Sequence, residues 1–345
     1  MPKEVVLTGL RTNGAYHLGN YIGGILPILK LIQDNQASPY QINLFAPDLH
    51  SFTTPTNLDK LNQQTLENLK LFVACGVPLD DNNVNLYRQS YISAHSELTW
   101  ILSNFTSWGE MSRMTEFKDK INQFKSGNQI TVGLFSYPIL MAADILLYDA
   151  TWIPVGEDQR QHLEFCRNLA QRFNQRFKKD IFKIPADFNK QQDWLKRFEA
   201  PRIRSLKHPD KKMSKSIADP KGTIMLSDTS EEIAQKITSA QTDNLASIDY
   251  DWQNQPGITN LLSILAYLNS KSLSDIKQNW RGQSDYSNLK QAVIQSVQTT
   301  LTEIQNSLKS VSDTVVLNHL KNREVKLNKI ANQKLQQVQK IIGLR

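Results

Sequence analysis

Only two cysteines, Cys75 and Cys166, occur in this 345-residue chain. Neither a disulfide framework nor a four-thiolate metal site can be built from them, so the expected setting is reducing. Long hydrophobic runs are missing too: the most apolar stretch, residues 133–148, is shorter than the ~20 residues of a membrane span and contains Asp144. No basic-then-apolar leader precedes the strand-like residues 4–10, which predicts a cytoplasmic protein without membrane association. Internal repeats are absent, and Gln and Asn, though frequent, never form a tract. What remains is the composition of a globular protein, 40% apolar and 21% charged, and at ~150 residues per domain the length predicts two domains. A net charge of +7 fits a polyanionic partner, and it fits an ordinary lysine-rich surface equally well. The basic clusters at 172–183, 202–215 and 321–340 are open to both readings.

Residues 4–10 form a β-branched run that leads through Arg11-Thr-Asn-Gly14 into a helical pattern starting near His17. Residues 41–46 and 85–88 repeat the strand signal, with helical spacing at 58–75 between them. Strands alternating with helices predict an α/β fold, a Rossmann-like doubly wound parallel sheet. Beyond about residue 230 only helical stretches are legible, at 231–240, 258–269, 288–308 and 318–344. The expected division is a catalytic domain at 1–216 and an all-helical domain at 217–345. Between them, residues 207–222 carry Pro, Gly, Ser and several lysines without an apolar face and read as an exposed, mobile loop across that boundary.

Two constellations carry chemistry. Gly9-Leu-Arg-Thr-Asn-Gly14 followed by His17-Leu-Gly19-Asn20 combines glycines after a strand with a helix N-terminus, a setting suited to phosphate, or simply a turn capped by His17. Lys212-Met213-Ser214-Lys215-Ser216 places two ammonium groups three residues apart, able to close on a triphosphate or merely to stay solvated. Together, about 200 residues apart and in this order, the pair resembles the two signatures of class I aminoacyl-tRNA synthetases.

Asp144 lies in an apolar helix face. The spacing puts Tyr137, Met141, Asp144 and Tyr148 on one side of a helix whose first turn would hold Pro138. A buried carboxylate needs a donor, and indole offers a single N–H, with Met141 as a polarizable neighbour of the ring; alternatively Asp144 caps a neighbouring helix. This segment, with Val155-Gly-Glu-Asp-Gln-Arg-Gln-His162, Ala46-Pro-Asp48-Leu-His50, residues 113–120 and Pro256-Gly-Ile-Thr-Asn-Leu-Leu262, resembles the tryptophanyl-tRNA synthetase family over nearly the whole chain.

The resemblance implies that Asp144 reads the indole N–H in a pocket of Leu7, His50, Met141, Ile153 and Val155, while Tyr137 and Gln159 hold the substrate ammonium. It implies that Gly156, Glu157 and Asp158 take ribose and adenine, with Arg11, Thr12, Asn13, Gly19, Asn20 and the Ile203 backbone completing the nucleotide site. His17, Asn20, Lys120, Lys212 and Lys215 would act on the phosphates, with Met213, Ser214 and Ser216 in the same loop. The partners implied are L-tryptophan, ATP with Mg2+ but no dedicated protein cage for the metal, tRNA(Trp), and a second copy in a homodimer. The chain departs from the family where a proline is usual beside Thr12 and Asn13, which leaves their side-chain roles open. Asn20 replaces a second histidine, and Pro47 follows the second strand. Two rivals stand beside this reading. A tyrosyl-tRNA synthetase would need partners for a hydroxyl that both donates and accepts, and Met141 is neither; a non-catalytic RNA-binding paralogue would be expected to lose His17, Asn20, Lys212 and Lys215.

Overall fold

Where the sequence concentrates β-branched and apolar residues, the chain forms parallel strands β1 (Glu4–Gly9), β2 (Tyr40–Ala46) and β3 (Val84–Arg88). A short fourth strand, β4 (Ala150–Trp152), pairs with β1 and completes a four-stranded sheet of order β3-β2-β1-β4. These features belong to a computed structural model that describes residues 3–10, 14–35, 40–53, 57–115, 131–198, 202–214 and 220–345. Side-chain alternation divides the interior into two cores. Val6, Ile42, Leu44, Val84 and Leu86 face one, whereas Leu7, Phe45 and Tyr87 face the other. β2 stops at Ala46, one residue before Pro47, whose missing N–H could not continue a ladder.

After β1 the chain enters α1 (Leu18–Asn20), a π-helical turn (Tyr21–Ile25) and α2 (Leu26–Asp34). Helix α3 (Leu58–Ala74), capped by Asn57 and ended by Gly76 at φ +116°, crosses from β2 to β3. Helices α4 (Ala94–Ser103), α5 (Trp108–Ser112) and α6 (Val132–Leu146) follow β3; α7 (Arg160–Phe177) and α8 (Phe188–Leu195) follow β4. One expectation is corrected here. Pro138 does not open its helix, because Thr131 accepts the Leu134 N–H and starts α6 a full turn earlier, at Val132. Pro138 is therefore interior and forfeits the bond to the Leu134 carbonyl.

The remainder is helical: α9 (Ser230–Thr238), α10 (Pro256–Leu268), α11 (Leu273–Trp280), α12 (Tyr286–Ser310) and α13 (Asp313–Ile341). Neither the three-residue β4 nor α11 was anticipated. Helix α13 belongs to both halves: Val316 and Leu320 join the first core, and Leu327, Ala331, Leu335 and Val338 join the second, beside the sheet. Its Glu324 is buried against Arg88 at the end of β3, with Nε–Oε1 2.7 Å, Nη2–Oε2 2.8 Å and the Arg88 backbone N–H on Oε1 at 3.2 Å. Among the described residues, no helix is long and apolar enough to cross a membrane.

Breaking one half of this buried pair strands a charge. Arg88→Met should lower unfolding stability by ~3–5 kcal/mol in a denaturant titration, and the double variant Arg88→Met/Glu324→Leu should recover most of that loss.

Candidate functional site

The carboxyl ends of the parallel strands form the site, the usual place in such sheets. On the side of the second core, Asp144 of α6 is 1% exposed. Three side chains donate to it: Gln89 Nε2 to Oδ1 at 2.7 Å, His95 Nδ1 to Oδ1 at 2.6 Å, and His50 Nε2 to Oδ2 at 3.0 Å. His50 follows β2 and Gln89 follows β3. Asp48 ties these two turns together, accepting the Ser90 N–H at 2.8 Å and the Ser90 hydroxyl. Burial pushes the Asp144 carboxyl up, but the hydrogen bonds from His50 and His95 outweigh it and hold the group below the ordinary carboxylate range.

The His50 ring meets Tyr137 edge-on at 6.3 Å, and the Tyr137 hydroxyl is hydrogen-bonded to buried His162 Nε2 at 2.7 Å. Leu7 and Ile153 are buried in the same core, with Met141 and Val155 packed against it. Of the expected amino-acid residues, His50 bonds Asp144 and meets Tyr137, and Leu7, Met141, Ile153 and Val155 belong to or pack on the same core, whereas Gln159 is engaged elsewhere. Gln159 donates to the neighbouring Asp158 carboxylate at 2.9 Å. The donor that a buried carboxylate needs is thus supplied three times over by the protein itself, and not by a ligand alone as the sequence reading expects. With ~four acceptor directions on a carboxylate, one remains on Oδ2 among the described residues.

On the other side of β1 lies a cavity of about 510 Å³, bordered by Gly9, Gly19, Asn20, Gly156, Ile203 and Lys212. Trp194 and Phe198 form part of its apolar wall, and Val155 borders it while also packing towards Met141's core. His17 and Asn20 close a capping box, Asn20 N–H to His17 Nδ1 and His17 N–H to Asn20 Oδ1, both 3.2 Å. With Nδ1 accepting, the hydrogen of a neutral imidazole sits on Nε2, a donor suited to phosphoryl oxygen.

The two signatures touch. A Cβ on Gly19 would lie 3.2 Å from the His17 ring and 3.3 Å from Met213 Cβ. Met213 is wholly buried, its N–H bonded to the Ile203 carbonyl at 3.1 Å, and Lys212 bridges Arg204. The loop expected to be exposed at 207–222 is exposed at Lys211 and Lys212 but not at Met213, because the methionine side chain belongs to the first core. Ser214 presents its carbonyl to the Thr223 hydroxyl at 3.1 Å. From the helical half, Asn260 of α10 grips the Arg204 backbone in both directions at 2.9 Å. At the start of the same helix, Gly257 lets the chain pass close to Gln241, since a Cβ there would lie 2.0 Å from the Gln241 carbonyl oxygen. Glu157 and Asp158 are exposed on the 3-10 turn just beyond Gly156. Arg11, Thr12, Asn13, Lys120, Lys215 and Ser216 lie outside the described residues.

Sequence reasoning assigned no role to Gln89, His95, His162, Trp194 or Asn260. A usable signal existed for the first two: a carboxylate placed in an apolar helix face demands buried donors from elsewhere in the chain.

The family described as tRNA synthetases class I (W and Y) matches residues 2–302. A tryptophan–tRNA ligase of Caldanaerobacter subterraneus subsp. tengcongensis is 40% identical over 339 residues, 98% of each chain. Among solved structures, the tryptophanyl-tRNA synthetase of Mycoplasma pneumoniae superposes with a TM-score of 0.82 at 32% identity, covering 99% of this chain and 98% of that one. The enzyme of Campylobacter jejuni, complexed with ADP and tryptophan, gives 0.78 at 30% identity, covering 99% and 100%.

Two outcomes follow from the geometry. Gly19→Ala should weaken ATP binding about tenfold by calorimetry, ~1.4 kcal/mol, whereas Gly133→Ala, whose nearest neighbour would be 3.8 Å away, should not. Because the folded pKa of Asp144 lies below its unfolded value of ~3.9, its contribution is complete above that pH and is lost as pH falls through the folded value. Asp144→Asn should therefore flatten the acid limb of the stability curve measured by thermal unfolding.

Proposed function

The chain belongs to the class I tRNA synthetases of the tryptophan and tyrosine family, and from that premise we propose that it activates L-tryptophan with ATP and transfers it to tRNA(Trp). The tryptophan carboxylate attacks the α-phosphate in line and pyrophosphate leaves. A hydroxyl of the terminal tRNA ribose then takes the acyl group and AMP leaves. Such chemistry asks the protein for positioning and charge stabilisation rather than covalent participation.

The observation that carries the choice of amino acid is Asp144, buried, ionised and left with one acceptor direction. An indole N–H fills that direction and asks for nothing in return, whereas a phenol would leave its own acceptor unpaired beside Met141. Leu7, His50, Met141, Ile153 and Val155 enclose the ring, and Tyr137 takes the ammonium, with Gln159 turning from Asp158 to join it.

The cavity beside Gly19 and Ile203 takes ATP. Gly156, Glu157 and Asp158 bind ribose and adenine, the His17 ring and Asn20 face the phosphates, and Arg11, Thr12 and Asn13 complete this wall. Lys120, Lys212 and Lys215 neutralise the triphosphate, with Met213, Ser214 and Ser216 carrying the loop. Mg2+ supplies further charge neutralisation when it arrives with ATP. Such an ion would be coordinated by phosphate oxygens and water rather than by a dedicated protein cage.

Residues 217–345 read the anticodon, and the second half of α13 is their strut back to the sheet. The protein works in the cytoplasm, where its buried cysteines stay reduced, as a homodimer. Support for the dimer comes from Trp100, Trp108 and Val132, 74%, 76% and 80% exposed on α4, α5 and α6, with Trp108 against the Phe135 ring at 4.3 Å.

Pyrophosphate exchange into ATP should depend on tryptophan and not on tyrosine; equal stimulation by tyrosine would reverse the choice of substrate. Lys215→Ala should slow adenylate formation about a hundredfold or more in single-turnover measurements, with tryptophan affinity kept within a few-fold, the pattern of a group acting mainly in the transition state.

A further inference from the structure

A free carboxylate swings broadly about its terminal torsion and presents two equivalent oxygens. At Asp144 they are unequal. Oδ1 receives Gln89 and His95, at 2.7 and 2.6 Å, while Oδ2 receives His50 alone at 3.0 Å. Since an ionised carboxylate only accepts, His95 Nδ1 must carry the hydrogen, and Nε2 of the neutral ring then accepts the Tyr148 hydroxyl at 2.9 Å. Burial pushes the Tyr148 phenol far above its ordinary pKa, so that donor keeps its proton. His95 is fully buried, with the Tyr87 ring stacked on it at 6.5 Å and Tyr148 tilted against it at 5.6 Å.

Gln89 is equally buried, and its Oε1 has no partner among the described residues. Turning the amide over would set that oxygen against the carboxylate, so the orientation is dictated by Asp144. The orphaned carbonyl costs ~1–3 kcal/mol. A core that tolerates this cost in order to donate to Oδ1 is organised around the direction of one carboxylate.

On the reading of Asp144 as the indole acceptor, we infer that His95 and Gln89 are positioning residues for tryptophan selection: they saturate Oδ1, fix the rotation of the carboxylate, and leave its open acceptor direction on Oδ2. Tyr148 supports them by fixing the tautomer of His95.

The test pairs tryptophan with 3-benzothienyl-L-alanine, in which sulfur replaces the ring N–H, and measures kcat/KM in pyrophosphate exchange for each. Wild type should prefer tryptophan strongly. His95→Leu should cut that preference about ten- to a hundredfold, the range open to one hydrogen bond to a charged group, through KM for tryptophan, with KM for ATP within twofold. His95→Asn, which keeps a donor near Nδ1, should restore most of it. Gln89→Met and Tyr148→Phe should cut it less, and they carry the test if His95→Leu does not fold. An unchanged preference in these variants, or an equal loss for both amino acids, would overturn the inference. A wild-type enzyme that uses both equally would instead overturn the assignment of Asp144 to the indole, and this proposal with it.

Discussion

A carboxylate taken out of water stays ionised only if donors reach it, and at Asp144 they come from three separate parts of the chain. His50 arrives from the turn after β2, Gln89 from the turn after β3 and His95 from the start of α4. Asp48, bonded to Ser90, keeps the two strand ends in register so that both donors converge. The order of strands in the sheet is therefore what the charge on α6 requires. Moving β2 or β3 by one residue would turn His50 or Gln89 to the opposite face.

The nucleotide side is held by contact rather than charge. Asn260 fixes the backbone at Arg204, the Ile203 carbonyl holds the Met213 N–H, and Met213 packs on Gly19 beside His17. Downstream, Ile224 and Leu226 pair with Leu18 and Tyr16, so the chain after the second signature is tied to the first helix turn. A hydrogen bond from a helix of the second half thus bears on the geometry of the first signature through a chain of neighbours, each a packed residue or a backbone bond. Gly19 is the place where that chain needs a missing side chain.

Much of this was legible in the sequence because it rests on local patterns. Runs of β-branched and apolar residues mark β1, β2 and β3, helical spacing marks α3, α10 and α12, and the two signatures mark Gly19, Asn20 and Lys212, which the fold brings to one cavity. Asp144 stood out as a charge in an apolar face. What could not be read depends on contacts between distant segments. β4 is three residues long and exists because β1 offers it an edge. Pro138 reads as a helix start until Thr131 supplies an earlier cap. A loop of lysines reads as solvated, yet Met213 inside it is fully buried. Gln89 and His95 have no periodic neighbours to mark them; their meaning appears only when α6 lies across the ends of β2 and β3.

The two halves of the site lie on opposite faces of one strand, and the end of that strand is where their ligands have to meet. Leu7 of β1 faces the Asp144 core, and Val6 faces the core that backs the cavity. On the proposed assignment, an amino acid and a nucleotide would be separated along most of β1 and could approach only beyond its last residue. That residue is Gly9, which borders the cavity; a Cβ there would lie 3.3 Å from the Phe45 ring and 3.6 Å from Pro47. A side chain at Gly9 would push against the end of β2 just ahead of His50. The glycine after the first strand therefore has a use beyond close approach to phosphate. It lets β1 and β2 finish side by side, and on the proposed assignment this is what would bring a carboxylate positioned from one face within reach of a phosphate held on the other.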